Sequence, residues 1–218
     1  MGIGHLALGF AAKRAVPRLP LWVLLLAPMF VDVLWGVFIL VGLEHARITP
    51  GHTAASPLDL YDFPYTHSLP GALAWSLFFG LVALAAFKHR AGAVLLGALV
   101  FSHFLLDVVA HSPDMPVLPG GPFIGLGLWN SVWGSILVEE AMLAGGLFLY
   151  LRATRARAPG LAVWGPWAFA GLLVCICLGT YLGPPPPGVT PVALLASVGM
   201  LLLLFPYAFD RRRETAAA

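Results

Sequence analysis

Four side chains that commonly bind metals or protons stand at helical spacing within one apolar stretch of the sequence. His103, Asp107, His111 and Asp114 lie at offsets of 0, 4, 8 and 11 residues. At about 100° per residue, these positions fall within roughly 80° of one another on one face of a helix. An imidazole and a carboxylate on adjacent turns suit shared coordination of one cation. The spacing therefore predicts a metal site, with a hydrogen-bonded His–Asp pair that joins helices as the structural alternative.

The helix that carries these residues belongs to a very apolar chain. Of its 218 residues, 60% are hydrophobic and only 10% are charged, against roughly 45–50% and 25% in soluble domains. This composition excludes a soluble globular protein, and a net charge of only +2 excludes a disordered one. Two cysteines are too few for a disulfide framework. Apolar runs of about 20 residues recur, each long enough to cross a hydrocarbon core, and predict a multi-pass membrane protein.

Six such runs predict six membrane-spanning helices in an all-α transmembrane bundle. They lie at about 20–43, 69–87, 91–110, 133–151, 161–182 and 190–209. Residues 2–12 are apolar but span about half the length required, which predicts a short N-terminal half-helix. We treat 1–218 as a single integral membrane domain, in which 1–115 carries the candidate metal site and 133–209 adds three further spans. We find no internal repeat, which counts against an inverted-repeat transporter.

The basic residues predict how the spans are oriented. Eleven of the twelve Lys and Arg residues fall on one side of an alternating six-span arrangement, and Arg47 is the exception. Short loops rich in Lys and Arg stay cytoplasmic, so we expect both termini in the cytoplasm and the chain in the plasma (inner) membrane. Because orientation explains the basic residues and they form no aromatic-interleaved patch, we expect no nucleic-acid binding.

Ionisable residues on other helices reach a similar depth. Counted at 1.5 Å per residue from the nearest basic residue, Asp32, His103 and Glu139 each lie roughly 20 Å along their helices. His67 begins the second span near the outer surface, and His5 reaches the membrane interior if the first segment is inserted. Ionisable groups at this depth cost from about 2.5 kcal/mol upward, so they persist mainly where they pair, bind metal or line a cavity. The residues together predict a cavity that opens towards the outer leaflet.

Several short motifs in the first half of the chain resemble one family pattern. In chain order they are Gly4-His5, Asp32, Thr66-His67-Ser68 and His103-x-x-x-Asp107. This set resembles the YdjM-like family of membrane-bound, predicted metal-dependent hydrolases over about residues 1 to 115. The order is also similar to the zinc-ligand order of zinc-dependent phospholipases C and P1-type nucleases. The resemblance implies metal binding more strongly than it implies a particular reaction.

The chain departs from this family pattern at two places. Members often show Pro-Asp-x-Asp in the first span and His-Arg before Thr-His-Ser. This chain has Phe30-Val31-Asp32 and Phe63-Pro64-Tyr65 at those positions. His111 and Asp114 are candidates for replacement ligands.

Two functional classes and one structural role fit these residues. The first is a metal-dependent hydrolase that cleaves a (phospho)ester from the outer-leaflet side, with membrane lipids or a lipid-linked small molecule as its partner. The second is a transporter or permease that moves protons or metal ions along the same His, Asp and Glu residues. A conduit also needs polar groups on the cytoplasmic side of the cluster, where the sequence offers few. The third is a scaffold in which the cluster only holds helices together.

The hydrolase hypothesis assigns a role to each candidate residue. One or two divalent ions are expected, and imidazole-rich ligands favour zinc, with manganese as the alternative. Glu139 or Asp114 is then the catalytic general base or a group that orients a ligand. The expected metal ligands are His5, Asp32, His67, His103, Asp107 and His111.

Overall fold

The computed structural model describes residues 1–216 as a bundle built mainly of helices. The short first helix, α1, covers Ile3–Ala12. Six apolar segments that follow are long enough to cross a membrane, which confirms the predicted all-α bundle with a short N-terminal half-helix. Five of them are continuous helices: α2 (Leu21–Leu40), α3 (Leu69–Phe87), α4 (Arg90–Ala110), α5 (Val132–Ala153) and α6 (Leu161–Leu182).

The sixth span differs from the others because it is not one regular helix. It consists of α7 (Val189–Val198), a 3-10 turn over Gly199–Leu203, and α8 (Leu204–Asp210). A 3-10 turn is wound more tightly than an α-helix and is used in short pieces, so the helical hydrogen-bonding pattern changes in the middle of this span.

Helix α1 is almost entirely buried, although it is too short to cross a membrane. It packs against α2, α4 and α5. Small residues allow this close approach: a Cβ added at Gly9 would lie 2.5 Å from the Leu24 carbonyl oxygen, and one at Gly146 would lie 2.3 Å from that of Ala7. Glycine contacts of this kind are a common basis of helix association in membranes, where burial of apolar surface gives little driving force.

One side of the bundle, the loop side, carries two short hairpins. Strands β1 (His45–Ile48) and β2 (Leu58–Asp62) form the first antiparallel pair. Strands β3 (Met115–Pro116) and β4 (Phe123–Ile124) form the second. The Ala55 amide donates to the Trp129 carbonyl oxygen at 2.8 Å, and this bond ties the first hairpin to the loop that follows the second.

The opposite side, the basic side, joins the first and last parts of the chain. Strands β5 (Thr154–Ala156) and β6 (Arg213–Thr215) pair there. Lys13 Nζ donates to Asp210 Oδ2 at 2.8 Å, and the Leu21 amide donates to the same oxygen at 2.9 Å. The Tyr150 hydroxyl donates to Asp210 Oδ1 at 2.9 Å. Asp210 therefore connects α8 with α2, α5 and the segment that follows α1.

Candidate metal centre

Two histidines from neighbouring elements face each other in the interior of the bundle. His103 lies on α4, and His67 directly precedes Ser68, whose side chain caps α3 by accepting from the Gly71 amide. The two Nε2 atoms are 3.2 Å apart, and both side chains are buried. The N-cap thus fixes where His67 stands relative to α4.

Hydrogen bonds on the far side of each ring determine which nitrogen carries the proton. His103 Nδ1 lies 2.8 Å from the Pro28 carbonyl oxygen, which can only accept. The Thr66 hydroxyl donates to Glu44 Oε2 at 2.7 Å, so its oxygen accepts from His67 Nδ1, also at 2.7 Å. Both Nδ1 atoms therefore donate, and the two Nε2 lone pairs point at each other. A cation between them, either a shared proton or a metal ion, would offset the repulsion of the two lone pairs.

Two aspartates complete the surroundings of these lone pairs. Asp32 Oδ1, on α2, lies 3.5 Å from His103 Nε2 and 3.6 Å from His67 Nε2. Asp107 Oδ2, one turn along α4, lies 3.0 Å from His103 Nε2 and 3.6 Å from His67 Nε2. Two ligands on a tetrahedral zinc ion, each about 2.0–2.2 Å from the metal, are separated by roughly 3.3 Å. The ligand atoms of Asp32, His67 and His103 therefore have the spacing of zinc ligands. Asp107 Oδ2 lies at a similar distance from both imidazole nitrogens.

The third histidine, His5, comes from α1 and extends the cluster. Its Nε2 lies 3.1 Å from Asp107 Oδ1, and the main-chain nitrogen of Met1 donates to the same oxygen. Its ring stacks on His103 with the centroids 4.0 Å apart and the planes 11° from parallel. His5 Nδ1 is buried without a hydrogen-bond partner among the described residues.

The ligand atoms form two overlapping sets that share His103. One set contains Asp32, His67 and His103, and the other contains His5, His103 and Asp107; within each, the ligand atoms lie within 4.8 Å of one another. Three protein ligands with an open position for water or substrate are typical of catalytic zinc sites. We call the five residues of these two sets the His/Asp cluster.

His111 and Asp114 lie at the edge of the His/Asp cluster. His111 Nδ1 is 3.0 Å from Asp114 Oδ1, and its Nε2 is 3.9 Å from Asp107 Oδ2. The His111 ring packs against Trp129, with the centroids 4.2 Å apart. The expectation that four residues share one helical face is wrong for the last two, because α4 ends at Ala110 and Pro113 disfavours its continuation. His111 lies just beyond the helix in an extended conformation, and Asp114 lies in the following turn. The two form a pair beside the cluster and belong to neither ligand set.

Glu139 makes contacts other than those expected of a general base. Both of its oxygens accept from the Gly2 amide, at 3.0 and 3.1 Å, and Oε2 also accepts from the Gly4 amide at 2.9 Å. The Tyr181 hydroxyl donates to Oε1. A carboxylate at this position satisfies the free amides at the start of α1 and neutralises the positive end of the helix. The structure places Glu139 where it holds α1, and therefore His5, in position.

The sequence gives little indication that two further residues, Glu44 and Thr66, support the site. Glu44 is an acidic residue of a long polar loop, yet it is buried and accepts from the Tyr65 and Thr66 amides at 2.8 Å. The Thr66 hydroxyl bridges this carboxylate to His67. In the sequence, only the hydroxyl residue directly before His67 points to such a role. The role of Glu44 depends on how the loop folds back onto Thr66, which the sequence does not indicate.

Comparison of the chain with protein-family models, with curated proteins and with solved structures gives no match.

Proposed function

We propose that this protein is a membrane-embedded, metal-dependent hydrolase that cleaves a lipid-linked or otherwise membrane-accessible ester, and specifically a phosphoester. The observation that carries the proposal is the convergence of two imidazole lone pairs, 3.2 Å apart, between two carboxylates inside a membrane-spanning bundle. Groups that only accept hydrogen bonds repel one another at this distance unless a cation lies among them.

The donor set fits zinc, with manganese as the alternative. Imidazole nitrogens mixed with carboxylate oxygens are the usual ligands of catalytic zinc, whereas magnesium and calcium prefer oxygen ligands alone. Bound at these residues, zinc would lower the pKa of its water to about 7 and would polarise a phosphoryl oxygen of the ester whose phosphorus is attacked. Because the two ligand sets share His103, whose Nε2 has one lone pair, they offer alternative arrangements of three ligands around one ion.

The surrounding residues supply orientation. Pro28 and Thr66 fix the rings of His103 and His67, and Glu139 holds the helix that carries His5. His111 presents its Nε2 beside Asp107, with Asp114 on its other nitrogen, so this pair is placed to accept a proton from water near the cluster.

Packing on the basic side of the cluster favours hydrolysis over transport. Along α1 and α2, the residues between the cluster and the Lys13–Asp210 pair include Phe10, Leu24 and Leu25, all fully buried. A path for protons or ions needs polar groups or water across this layer. The hydrolase, which needs access from one side only, requires no such path.

The motif resemblance and the charge pattern complete the proposal. Similarity to the motifs of the YdjM-like family supports a hydrolase, because the candidate ligands follow one another along the chain in the order of that family's motifs. The basic side carries Lys13, Arg152 and Arg211, which supports a cytoplasmic location for both termini in the plasma (inner) membrane. The loop side then faces outward, and the substrate is one accessible from the outer leaflet.

Elemental analysis of the purified protein in detergent tests the metal site first. We expect near-stoichiometric zinc or manganese in the wild type, and its loss in folded His103→Ala and Asp107→Ala variants. His45→Ala is the matched control, because His45 pairs with Asp62 on the exposed hairpin. The same proteins are then assayed for release of phosphate or alcohol from lipid phosphoesters, which we expect in the wild type and control only.

Two results would contradict the proposal. Wild-type protein that stays free of metal after reconstitution with either ion would favour the proton-coupled transporter. Bound metal whose removal unfolds the protein, without turnover of any phosphoester tested, would favour the scaffold.

A further inference from the structure

A cavity of about 660 Å³ runs from the His/Asp cluster into the last two spans. Asp32, His67 and Asp107 line one end of it, together with His111. The remaining wall is mostly apolar, and α6 and the sixth span together contribute its largest share. A volume of this size lies within the range of about 300–1,000 Å³ that is usual for small-ligand sites.

The cavity exists because α6 and α7 diverge. Helix α6 packs against α5 and α8, whereas α7 packs against α2. Over residues 1–216, α6 and α7 form no extensive interface with each other, although they are consecutive in the chain. Leu173 and Ile176 of α6 line the cavity opposite Val192 and Leu195 of α7. Ile176 and Leu195 are also exposed at the surface of the membrane-spanning segments. We therefore expect the gap between these helices to open towards the bilayer.

The loop side of the cavity is covered by the chain itself. Residues 55–58 of the first hairpin line the cavity, and the Ala55 amide is bonded to the Trp129 carbonyl oxygen. Trp129 lines the cavity too, and its ring packs on His111. A ligand that enters between α6 and α7 reaches the cluster from the membrane, without passing through this cover.

Charge restricts what the polar end of the cavity accepts. Among the described residues that line it, none is Lys or Arg, whereas Asp32, Asp107 and Glu139 are acidic. An anionic group is repelled there unless a metal ion bound to the cluster offsets the carboxylates. A molecule with one hydrocarbon chain and a phosphate group at its end matches both the apolar walls and a metal-loaded cluster.

We infer that the cavity between α6 and α7 binds the single hydrocarbon chain of a lipid phosphoester and places its phosphate at the His/Asp cluster. The inference rests on the proposed hydrolase function and specifies its substrate class. Bilayer chains are as apolar as the cavity walls, so burial alone gives little affinity. Occupancy therefore depends on free space in the cavity and, for a chain that ends in an anionic phosphate, also on the metal at its polar end.

Photolabelling of the protein in detergent tests the inference. The probes are hexadecyl phosphate and hexadecanol, each carrying a diazirine near the end of the chain. With zinc present, we expect hexadecyl phosphate to label cavity residues of α6 and α7. Removal of zinc abolishes this labelling, whereas hexadecanol, which has no charge, labels the same residues with or without zinc.

Two glycines on opposite walls allow the cavity to be filled. A Cβ at Gly179, on α6, meets no atom within 4 Å, and one at Gly199, at the 3-10 turn, meets only Leu195 Cδ1 at 3.8 Å. Gly179→Phe and Gly199→Phe are therefore expected to fold, retain zinc and lose labelling by both probes. Gly171→Phe is the matched control, because Gly171 has equal free space on α6 but does not line the cavity.

The outcomes separate this inference from the proposed function. Undiminished labelling of cavity residues in both zinc-containing filled variants overturns the chain site, even if the metal centre is real. If the filled variants lose labelling but the protein never binds metal, the cavity still binds a hydrocarbon chain, and the proposed hydrolase function is wrong. Labelling that spreads over the lipid-facing surface of α3, equally in every variant, shows non-specific partition and also overturns the inference.

Discussion

At the scale of single residues, the site depends on groups that hold the candidate metal ligands in place but are not ligands themselves. Thr66 connects a buried carboxylate to His67, and the Pro28 carbonyl oxygen holds His103. Partners of this kind fix the tautomer and the direction of an imidazole, and they raise its affinity for metal. The lone pairs of the cluster are therefore oriented before any ion arrives.

Thr66→Val tests this arrangement, because valine has nearly the shape of threonine without the hydroxyl group. We expect the zinc affinity to fall about 10- to 100-fold, the usual effect of losing such a partner. Thr66→Ser keeps the hydroxyl group and is expected to stay near the wild type. The measurement is competition with a chelator in detergent, and equal affinities for all three proteins would show that Thr66 does not position His67.

Substitution of Glu139 tests whether this residue positions α1 or acts in catalysis. Glu139→Ala leaves the buried Gly4 amide without its acceptor, which costs about 1–3 kcal/mol, and also removes the acceptor of the partly buried Gly2 amide. We therefore expect a lower melting temperature together with weaker zinc binding. The neighbouring Glu140→Ala is the control, since Glu140 Oε1 has no hydrogen-bond partner among the described residues. A Glu139 variant of normal stability and zinc affinity, with activity alone lost, would restore the general-base role.

At the scale of elements, the position of α1 is decided by small residues on its neighbours. Only glycine at position 146 lets α5 approach the backbone of α1 so closely, because any side chain there meets the Ala7 carbonyl oxygen. The contact matters for the site because α1 carries His5, which contacts Asp107.

Gly146→Leu is expected to push α1 away from α5 and to weaken zinc binding by moving His5. Overpacking of this kind costs about 1–3 kcal/mol, so the melting temperature should fall as well. Gly145→Leu is a closely matched control, because a Cβ at Gly145 meets nothing within 4 Å. If the two variants bound zinc equally well, the cluster would not depend on the packing of α1 against α5.

At the scale of the whole molecule, one buried ion pair on the basic side connects the first part of the chain with the last span. Lys13 and Asp210 are far apart in the sequence, and both are buried. Removal of one partner leaves the other charge uncompensated in the interior, which is strongly destabilising. The pair therefore joins the two ends of the chain into one cooperative unit.

Lys13→Met is expected to lower the free energy of unfolding by about 3–5 kcal/mol, measured by thermal or denaturant unfolding in detergent. The double variant Lys13→Met/Asp210→Asn should lose less than the sum of the single variants, because neither charge is then left alone. The exposed pair Arg157–Glu214, at 3.7 Å, is the control; Arg157→Met should cost at most about 1 kcal/mol. Additive effects at Lys13 and Asp210 would contradict the coupling.

Orientation is also a property of the whole molecule. In a Cys175→Ser/Cys177→Ser background, an impermeant maleimide added to intact cells is expected to label Leu118→Cys on the loop side. Arg212→Cys on the basic side should be labelled only after the cells are opened. Both positions are exposed to solvent or lipid, so accessibility is set by the side of the membrane. The reverse pattern would place the termini outside the cytoplasm and would move the expected substrate to the inner leaflet.

The sequence by itself determined the spans, the half-helix and the shared face of His103 and Asp107. These features are local: the bilayer thickness sets the length of an apolar run, and the helical period sets which residues of one run share a face.

Only the tertiary structure decided that His5 meets Asp107, that Glu139 holds α1, that Glu44 supports His67, and that α6 and α7 leave a cavity. These contacts join residues far apart in the chain, and they depend on how closely and at what angle helices pack. Packing is set by small residues and polar contacts on several helices together, so the period of any one helix does not contain it.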